Sequence, residues 1–326
     1  MPEGPTILMM AEEASKFVGR PVREASGNAK IAYSRLLRRK PLAIRSFGKQ
    51  FLVDFGTFYL RAHLLLFGSY RIDDTREKPP RLALRFANGE LNIYGGSVRL
   101  VDGALADDYD WRVDVLSDEW DPARARRTLR ARPATLACDI LMDQDVFAGV
   151  GNIIKNEVLH RVGVHPAARL DELTAPKRAA LVKDARDFSY QFLAWRRQNV
   201  LRKNLRVHKR KYCADCGTEL RRAILGETQR RAFWCDVCQP LPAGADPARA
   251  IGTPFGESWW TRVVRGDVPA KAATKGSTKA TKGKKATKVT KVTKTAGRPA
   301  KAATKAAAKT AKTAKAARAT RGTSGR

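Results

Sequence analysis

The chain has 326 residues, and 63 Lys and Arg against 32 Asp and Glu give it a net charge of +31. At roughly 150 residues per domain this length suggests about two domains, and 43% hydrophobic residues allow a sizeable core. The absence of a long apolar run argues against a membrane-spanning helix, the start lacks a secretory pattern, and so strong a basic excess points to a polyanion: nucleic acid or an anionic membrane surface.

Residues 6–18 read as a helix, because Ile7, Leu8, Ala11, Ala14, Phe17 and Val18 recur at spacings of three and four. Pro5 stands near its start, where a missing N–H costs little. Strand patterns follow. Phe51, Val53 and Phe55 alternate within 42–55, and 58–72 is strongly apolar with Gly68 inside it. Leu82, Leu84 and Phe86 alternate up to Asn88-Gly89, after which Leu91 and Ile93 resume. This predicts a hairpin with a type I′ turn, whose positive φ values Asn-Gly tolerates. Residues 1–115 are therefore expected to be mostly β with one leading helix.

After Trp111 the pattern turns helical, over 122–130, 136–142, 152–162 and 177–195. Thr174 is the expected N-cap of the last helix, with Pro176 in its first turn. Leu181, Ala185, Phe188, Phe192 and Trp195 line one face. The expected units are 1–115, 116–204, a cysteine-built unit over 205–240, an extension over 241–268, and a tail over 269–326. The Trp259-Trp260 pair of the extension is expected to pack on the body. The tail holds 14 Lys and 4 Arg and no acid or aromatic residue. It cannot bury enough surface to offset ordering entropy and is expected to be disordered, serving as an arm on nucleic acid or as a solvated, solubilising tail.

Cys213-Ala-Asp-Cys216 and Cys235-Asp-Val-Cys238 are two CxxC pairs with eighteen residues between them. That is the spacing of a structural four-cysteine zinc site, one Zn2+ on four thiolates, with disulfides or a redox pair as alternatives. The intervening residues suit a hairpin whose tip carries Gln229-Arg230-Arg231, cationic and fit for phosphate, or else a plain solvated turn. Cys138 lies in an apolar helix and reads as a buried core thiol.

Pro2 follows Met1 and is small enough for aminopeptidase removal of the methionine. The exposed secondary amine would be a nucleophile toward a sugar carbon, with Glu3 beside it to donate or accept protons. A Met-Pro start alone is common to many proteins.

Four motifs occur in order: Pro2-Glu3-Gly4-Pro5, Phe47-Gly48-Lys49, the string from Asp143 to Asn152 ending Gly149-Val150-Gly151-Asn152, and the four-cysteine unit ending Cys238-Gln239. Together they resemble the formamidopyrimidine-DNA glycosylase/endonuclease VIII family of base-excision repair, over roughly residues 2–240 and closer to the endonuclease VIII branch. The resemblance implies an α+β fold. It would comprise an N-terminal β-sandwich with a leading helix, a helical helix–two-turn–helix domain and a zinc-finger hairpin. It implies a bifunctional DNA glycosylase and abasic-site lyase, working by β,δ-elimination on double-stranded DNA that carries damaged bases or abasic sites. By the same resemblance Pro2 is the nucleophile, Glu3 the catalytic acid that helps open the deoxyribose, and Lys49 a proton donor and phosphate contact. Asn152 and Arg230 would hold phosphate; Arg230 is chosen over Arg231 because it lies five residues before Cys235. The glycines ahead of Asn152 suit an anion at a helix N-terminus.

A base inside a duplex must be extruded before it can be cut out, and His63-Leu64-Leu65-Leu66-Phe67-Gly68 resembles the family's intercalation loop. Leu65, Leu66 and Phe67 are then the wedge, or else core residues of a strand. Thr6 departs from the family's frequent Glu, and the basic tail lies outside its common core. The start motif favours oxidised pyrimidines over oxidised purines. A monomer is expected, in the cytoplasm and associated with the bacterial nucleoid, with no membrane partner. A catalytically silent architectural DNA-binding protein on the same fold is the alternative reading.

Overall fold

The computed structural model describes residues 2–246 and 248. The Trp259-Trp260 pair, most of the extension and the whole basic tail lie outside the described residues. Helix α1 (Gly4–Ala14) opens the chain with Pro5 in its first turn, and a 3-10 turn carries it on through Phe17. Ile7, Ala11, Ala14 and Phe17 are buried, as their spacing predicts, together with Met10, whereas Leu8 is half-buried and Val18, beyond the helix, is 40% exposed.

Eight strands follow in two antiparallel sheets. One sheet has the order β2 (Ala43–Phe47), β3 (Gln50–Asp54), β4 (Phe58–His63) and β8 (Ser97–Asp102). The other runs β1 (Glu24–Ser26), β6 (Leu82–Phe86), β7 (Gly89–Tyr94) and β5 (Ser69–Ile72). Phe51, Val53 and Leu60 of the first meet Leu82, Leu84 and Ile93 of the second in one core with Phe17. Each such burial contributes about 1.5–3 kcal/mol before entropy is counted.

The strand stretches read from the sequence divide differently. Residues 42–55 form the β2–β3 hairpin, because Gly48, at φ +54, turns the chain at Gly48-Lys49. Residues 58–72 split between the two sheets. The chain leaves β4 at Leu64 and turns with Leu65 left-handed at φ +55. Gly68 then admits the Leu64 carbonyl oxygen, which would lie only 2.2 Å from a Cβ there. The β6–β7 hairpin forms, but its two-residue turn is Ala87-Asn88 and neither residue has positive φ. Gly89 opens β7 at φ +137, where a Cβ would meet the Asp73 carboxylate at 1.9 Å. That glycine makes room for Asp73, whose Oδ1 accepts the Glu90 N–H at 3.0 Å.

The helical half contains α2 (Leu105–Asp108), α3 (Pro122–Ala131), α4 (Ala137–Ile140), α5 (Asn152–Val162), α6 (Ala175–Arg197) and α7 (Leu201–Asn204). Thr174 caps α6 by accepting the Lys177 N–H, and Gly163, left-handed at φ +65, ends α5. The helix read over 136–142 shrinks to the single turn α4. Beyond it, side chains of Asp143 and Gln144 take the Asp145 and Gly149 N–H groups at 2.9 and 3.2 Å, which favours turns over helix. Cys138 is buried in the helical core with Leu141, Ile154, Val158 and Phe188. No helix among the described residues is long and apolar enough to cross a membrane.

The last element is the hairpin of β9 (Arg221–Leu225) and β10 (Arg230–Trp234), joined by a turn over 226–229. Arg230 therefore opens a strand and does not sit on the tip. The tip itself is fastened to the helical half. Asp139 accepts the N–H groups of Glu227 and Thr228 at 3.0 and 3.2 Å, and Gly226 leaves room for that carboxylate. Ala232 and Trp234 of β10 are buried in the helical core.

Candidate active site

Three glycine backbones meet where the sandwich touches the helical half. The Gly4 N–H donates to the Gly149 carbonyl at 2.9 Å. A Cβ on Gly4 would stand 2.9 Å from the Gly149 Cα, and one on Gly48 would stand 3.1 Å from the Gly149 nitrogen. Glycine at these positions lets the start of the chain, the β2–β3 turn and the loop before α5 close on one another.

Glu3 is fully buried at this junction. Its Oε1 accepts the Ile153 N–H at 2.7 Å and its Oε2 the Ile154 N–H at 3.1 Å, so the carboxylate sits on the N-terminus of α5. Burial pushes its pKa above the ordinary carboxylate value, against the lowering effect of those hydrogen bonds and of Lys49. The sequence suggested that these amides receive a DNA phosphate; in the structure the anion they hold is the protein's own carboxylate.

Pro2, Lys49, His63, Leu66, Gln144 and Arg230 line one cavity of about 250 Å³. Pro2 also lines the adjoining cleft of about 1170 Å³, together with Thr6, Tyr70 and Arg196. Lys49 is half-buried, and burial, reinforced by Arg230 and opposed by Glu3, lowers its pKa to about 8. Two residues that the sequence reading gave no role support this corner. Asp114, 2% exposed, accepts the Gly48 N–H at 2.8 Å and the Leu116 N–H at 2.9 Å, and it pairs with Ala148 in a parallel bridge. It thereby fixes the Lys49 turn to the Gly149 loop. The signal for it was an acid inside the apolar run Val113-Asp114-Val115-Leu116. His63 stands opposite Gln50 across β3–β4, and its Nδ1 accepts the Leu65 N–H at 3.0 Å, which places its proton on Nε2.

Asn152 opens α5, and its Nδ2 donates to the Arg231 carbonyl at 3.0 Å. Helix α5 is thus tied to the strand that carries Arg230. Burial also lowers the pKa of Arg230, against the pull of Glu3, and the guanidinium remains a cation. Lys155, 1% exposed, reaches the same carbonyl, a contact that sequence reading missed. Its signal was a lysine one helical turn after Asn152 on an otherwise buried helix.

Leu65, Leu66 and Phe67 form an exposed turn between the two sheets and not a strand core. Phe67 is 94% exposed and Leu65 40% exposed, while Leu66 is half-buried against the cavity. Thr6, by contrast, is buried on α1.

The sulfurs of Cys213, Cys216, Cys235 and Cys238 all lie within 4.8 Å of one another, and all four cysteines are free. Cys213 and Cys238 are 3.8 Å apart and Cys216 and Cys235 3.4 Å, too far for disulfides. A tetrahedral ion with metal–sulfur bonds of about 2.3 Å would hold its ligands about 3.8 Å apart. The donor set therefore fits a metal ion, five residues along the chain from Arg230.

Residues 113–194 match the Formamidopyrimidine-DNA glycosylase H2TH domain. The chain is 31% identical over 209 residues to Endonuclease 8-like 3 of Xenopus laevis, covering 60% of this chain and 34% of that one. It therefore spans about a third of that relative's length. It is 30% identical over 214 residues to Endonuclease 8 2 of Mycobacterium bovis, covering 59% of this chain and 80% of that one. The fold is similar to that of a formamidopyrimidine-DNA glycosylase from Lactococcus lactis, solved non-covalently bound to DNA containing an AP site. The TM-score is 0.64 at 22% identity, covering 73% of this chain and 99% of that one. With four-fifths of the mycobacterial protein matched, and with three of the four expected motifs gathered at one junction, the chain belongs to the formamidopyrimidine-DNA glycosylase/endonuclease VIII family, on its endonuclease VIII side.

Proposed function

We propose that the chain is a bifunctional DNA glycosylase and abasic-site lyase of base-excision repair, acting on duplex DNA. The observation that carries this reading is the placement of Glu3. A carboxyl group with a raised pKa is locked beside the one residue whose freed nitrogen would be a secondary amine, next to a cavity lined by Pro2, Lys49 and Arg230.

Once Met1 is removed, the Pro2 nitrogen attacks C1′ of the damaged nucleoside. The C1′–N glycosidic bond breaks with its electron pair going to the base, which takes up the proton that the amine releases. Glu3, protonated, gives its proton to the ring oxygen as the C1′–O4′ bond opens, leaving an iminium between Pro2 and C1′. Loss of a C2′ proton then expels the 3′ phosphate, and loss of the C4′ proton expels the 5′ phosphate. Water frees Pro2. Burial serves Glu3 here, because a carboxyl group must hold its proton near neutral pH to act as an acid.

Lys49, Asn152 and Arg230 act as phosphate contacts, and Leu65, Leu66 and Phe67 fill the gap left by the extruded nucleotide. Zinc is the metal of the four cysteines, with a structural role, since all four positions are taken by protein. Oxidised pyrimidines are the preferred lesions, a reading supported by the Pro2-Glu3-Gly4-Pro5 start.

The test is borohydride trapping on duplexes carrying thymine glycol, 5-hydroxycytosine, 8-oxoguanine, formamidopyrimidine or an abasic site. Protein processed to Pro2 should form a covalent adduct, and strongest with the pyrimidine lesions. Protein extended at the N-terminus has an amide in place of the amine and should form none. Equal trapping by the extended protein overturns the assignment of Pro2. DNA binding without trapping by either protein would leave the architectural reading.

A further inference from the structure

Three side chains on one face of α5 donate to a single backbone carbonyl. The Arg231 oxygen receives Asn152 Nδ2 at 3.0 Å, Lys155 Nζ at 3.4 Å and Asn156 Nδ2 at 3.5 Å. A carbonyl oxygen has two lone pairs, so one of the three donors is in excess.

The three are not equivalent. Asn156 is committed elsewhere, because its Nδ2 donates to the Asn152 carbonyl at 2.8 Å and reaches His208 Nδ1 at 3.0 Å, while its Oδ1 accepts the Phe233 N–H at 3.3 Å. Asn152 has a buried Oδ1 with no hydrogen-bond partner, so nothing but the carbonyl fixes its amide. Lys155 is fully enclosed and among the described residues forms no ion pair. The nearby Asp139 carboxylate is taken up by Glu227 and Thr228. An enclosed ammonium with one long hydrogen bond is poorly compensated for its lost hydration in a resting protein. Replacing it with a well-packed apolar residue should make the free protein no less stable, so the free fold alone does not account for a lysine here.

We propose that Lys155 is a positioning residue for the DNA complex: it takes over the Arg231 carbonyl when the Asn152 amide turns from that carbonyl to a DNA phosphate, and so keeps Arg230 in register with Glu3 and Pro2. This rests on the proposed reading of Asn152 and Arg230 as phosphate contacts. In the free protein Asn152 holds the carbonyl at 3.0 Å, the Asn156 amide has both of its hydrogens engaged elsewhere, and Lys155 reaches the carbonyl only at 3.4 Å. In the complex Asn152 departs, and the Lys155 ammonium closes to full hydrogen-bond distance. Burial lowers its pKa only to about 8, so it is a charged donor at neutral pH.

The experiment compares the wild-type full-length chain, processed to Pro2, with Lys155→Met and Lys155→Arg. Thermal midpoints are read without DNA. Affinity is read on a duplex with a non-cleavable tetrahydrofuran abasic analogue, and single-turnover cleavage on a true abasic duplex. K155M should melt at or above the wild-type temperature, yet bind the analogue and cleave about tenfold or more weakly, the range for losing a charged hydrogen bond. K155R, which keeps a charged donor, should recover most of that loss. A purely structural lysine would instead lower the melting temperature and the activity together, and that pattern overturns the proposal. So does K155M with wild-type binding and cleavage. Should the wild type bind the analogue no better than undamaged duplex, the reading of the site fails instead, and the two failures are distinguishable.

Discussion

The Glu3 carboxyl carbon lies where a side chain on Gly151 would begin: a Cβ there would stand 2.3 Å from Glu3 Cδ and 2.6 Å from Oε1. Gly151 has extended backbone (φ −118°), so alanine fits the chain itself and conflicts only with the carboxylate. Gly151→Ala should therefore act like Glu3→Gln. Both should lower single-turnover excision by roughly 10²–10⁴-fold while analogue binding stays near normal. Unchanged excision by G151A would mean that Glu3 can work from another position.

Lys49 should give the site an alkaline limit. Its pKa is lowered to about 8, so its charge is present below that pH and lost as pH rises through it. Duplex affinity of the wild type relative to Lys49→Met should be high at neutral pH and approach unity by about pH 9 or 10. A ratio that stays constant across that range would place the charge of Lys49 away from the phosphates.

The Phe67 ring is solvent-facing, so Phe67→Ala should shift stability by no more than about 0.5 kcal/mol in thermal melts. Excision from a duplex should nevertheless fall, on the order of tenfold or more, because the wedge no longer compensates unstacking. Excision from a single-stranded oligonucleotide, with no stack to open, should be unaffected. Equal losses on both substrates would remove Phe67 from the wedge.

Metal analysis should find one zinc per chain. Cys235→Ala, which removes a buried ligand, should release it and weaken DNA binding as the strand carrying Arg230 loosens. Active protein prepared without any metal would refute this account.

The stretch 269–326 carries +18 with no acid. If it neutralises a third of its charge on DNA, it adds roughly −5 to the slope of log K against log salt concentration. Truncation after Val268 should make that dependence shallower and leave single-turnover excision intact, since it removes none of the site residues. An unchanged slope would mean that the basic stretch does not contact DNA.

The sequence was most legible where side-chain chemistry is local. The four cysteines, the N-cap at Thr174 and the apolar faces of α1 and α6 are all encoded within a few neighbouring residues. It was less legible where a backbone group has a distant partner. Asn88-Gly89 signals a turn, yet the glycine is required by Asp73, from outside the hairpin. The apolar run 58–72 has no internal mark showing that it changes sheets; Leu65 and Gly68 decide that through their backbone geometry. Asp114 and Lys155 looked like ordinary charged residues because their partners, Gly48 and Arg231, lie 66 and 76 residues away.

The hydrogen bond between Glu3 and Ile153 spans 150 residues, which has a consequence for synthesis. At about 5–20 residues per second, α5 follows the first residues out of the ribosome by roughly 8–30 seconds, and Arg230 comes later still. Throughout that interval the nascent sandwich carries the amine and the acid without the helix that desolvates the acid. A solvated carboxyl group there would keep an ordinary pKa and be ionised in the cell. On the proposed reading of Glu3 as the acid, its proton transfer therefore waits for α5 to emerge and close on the carboxylate.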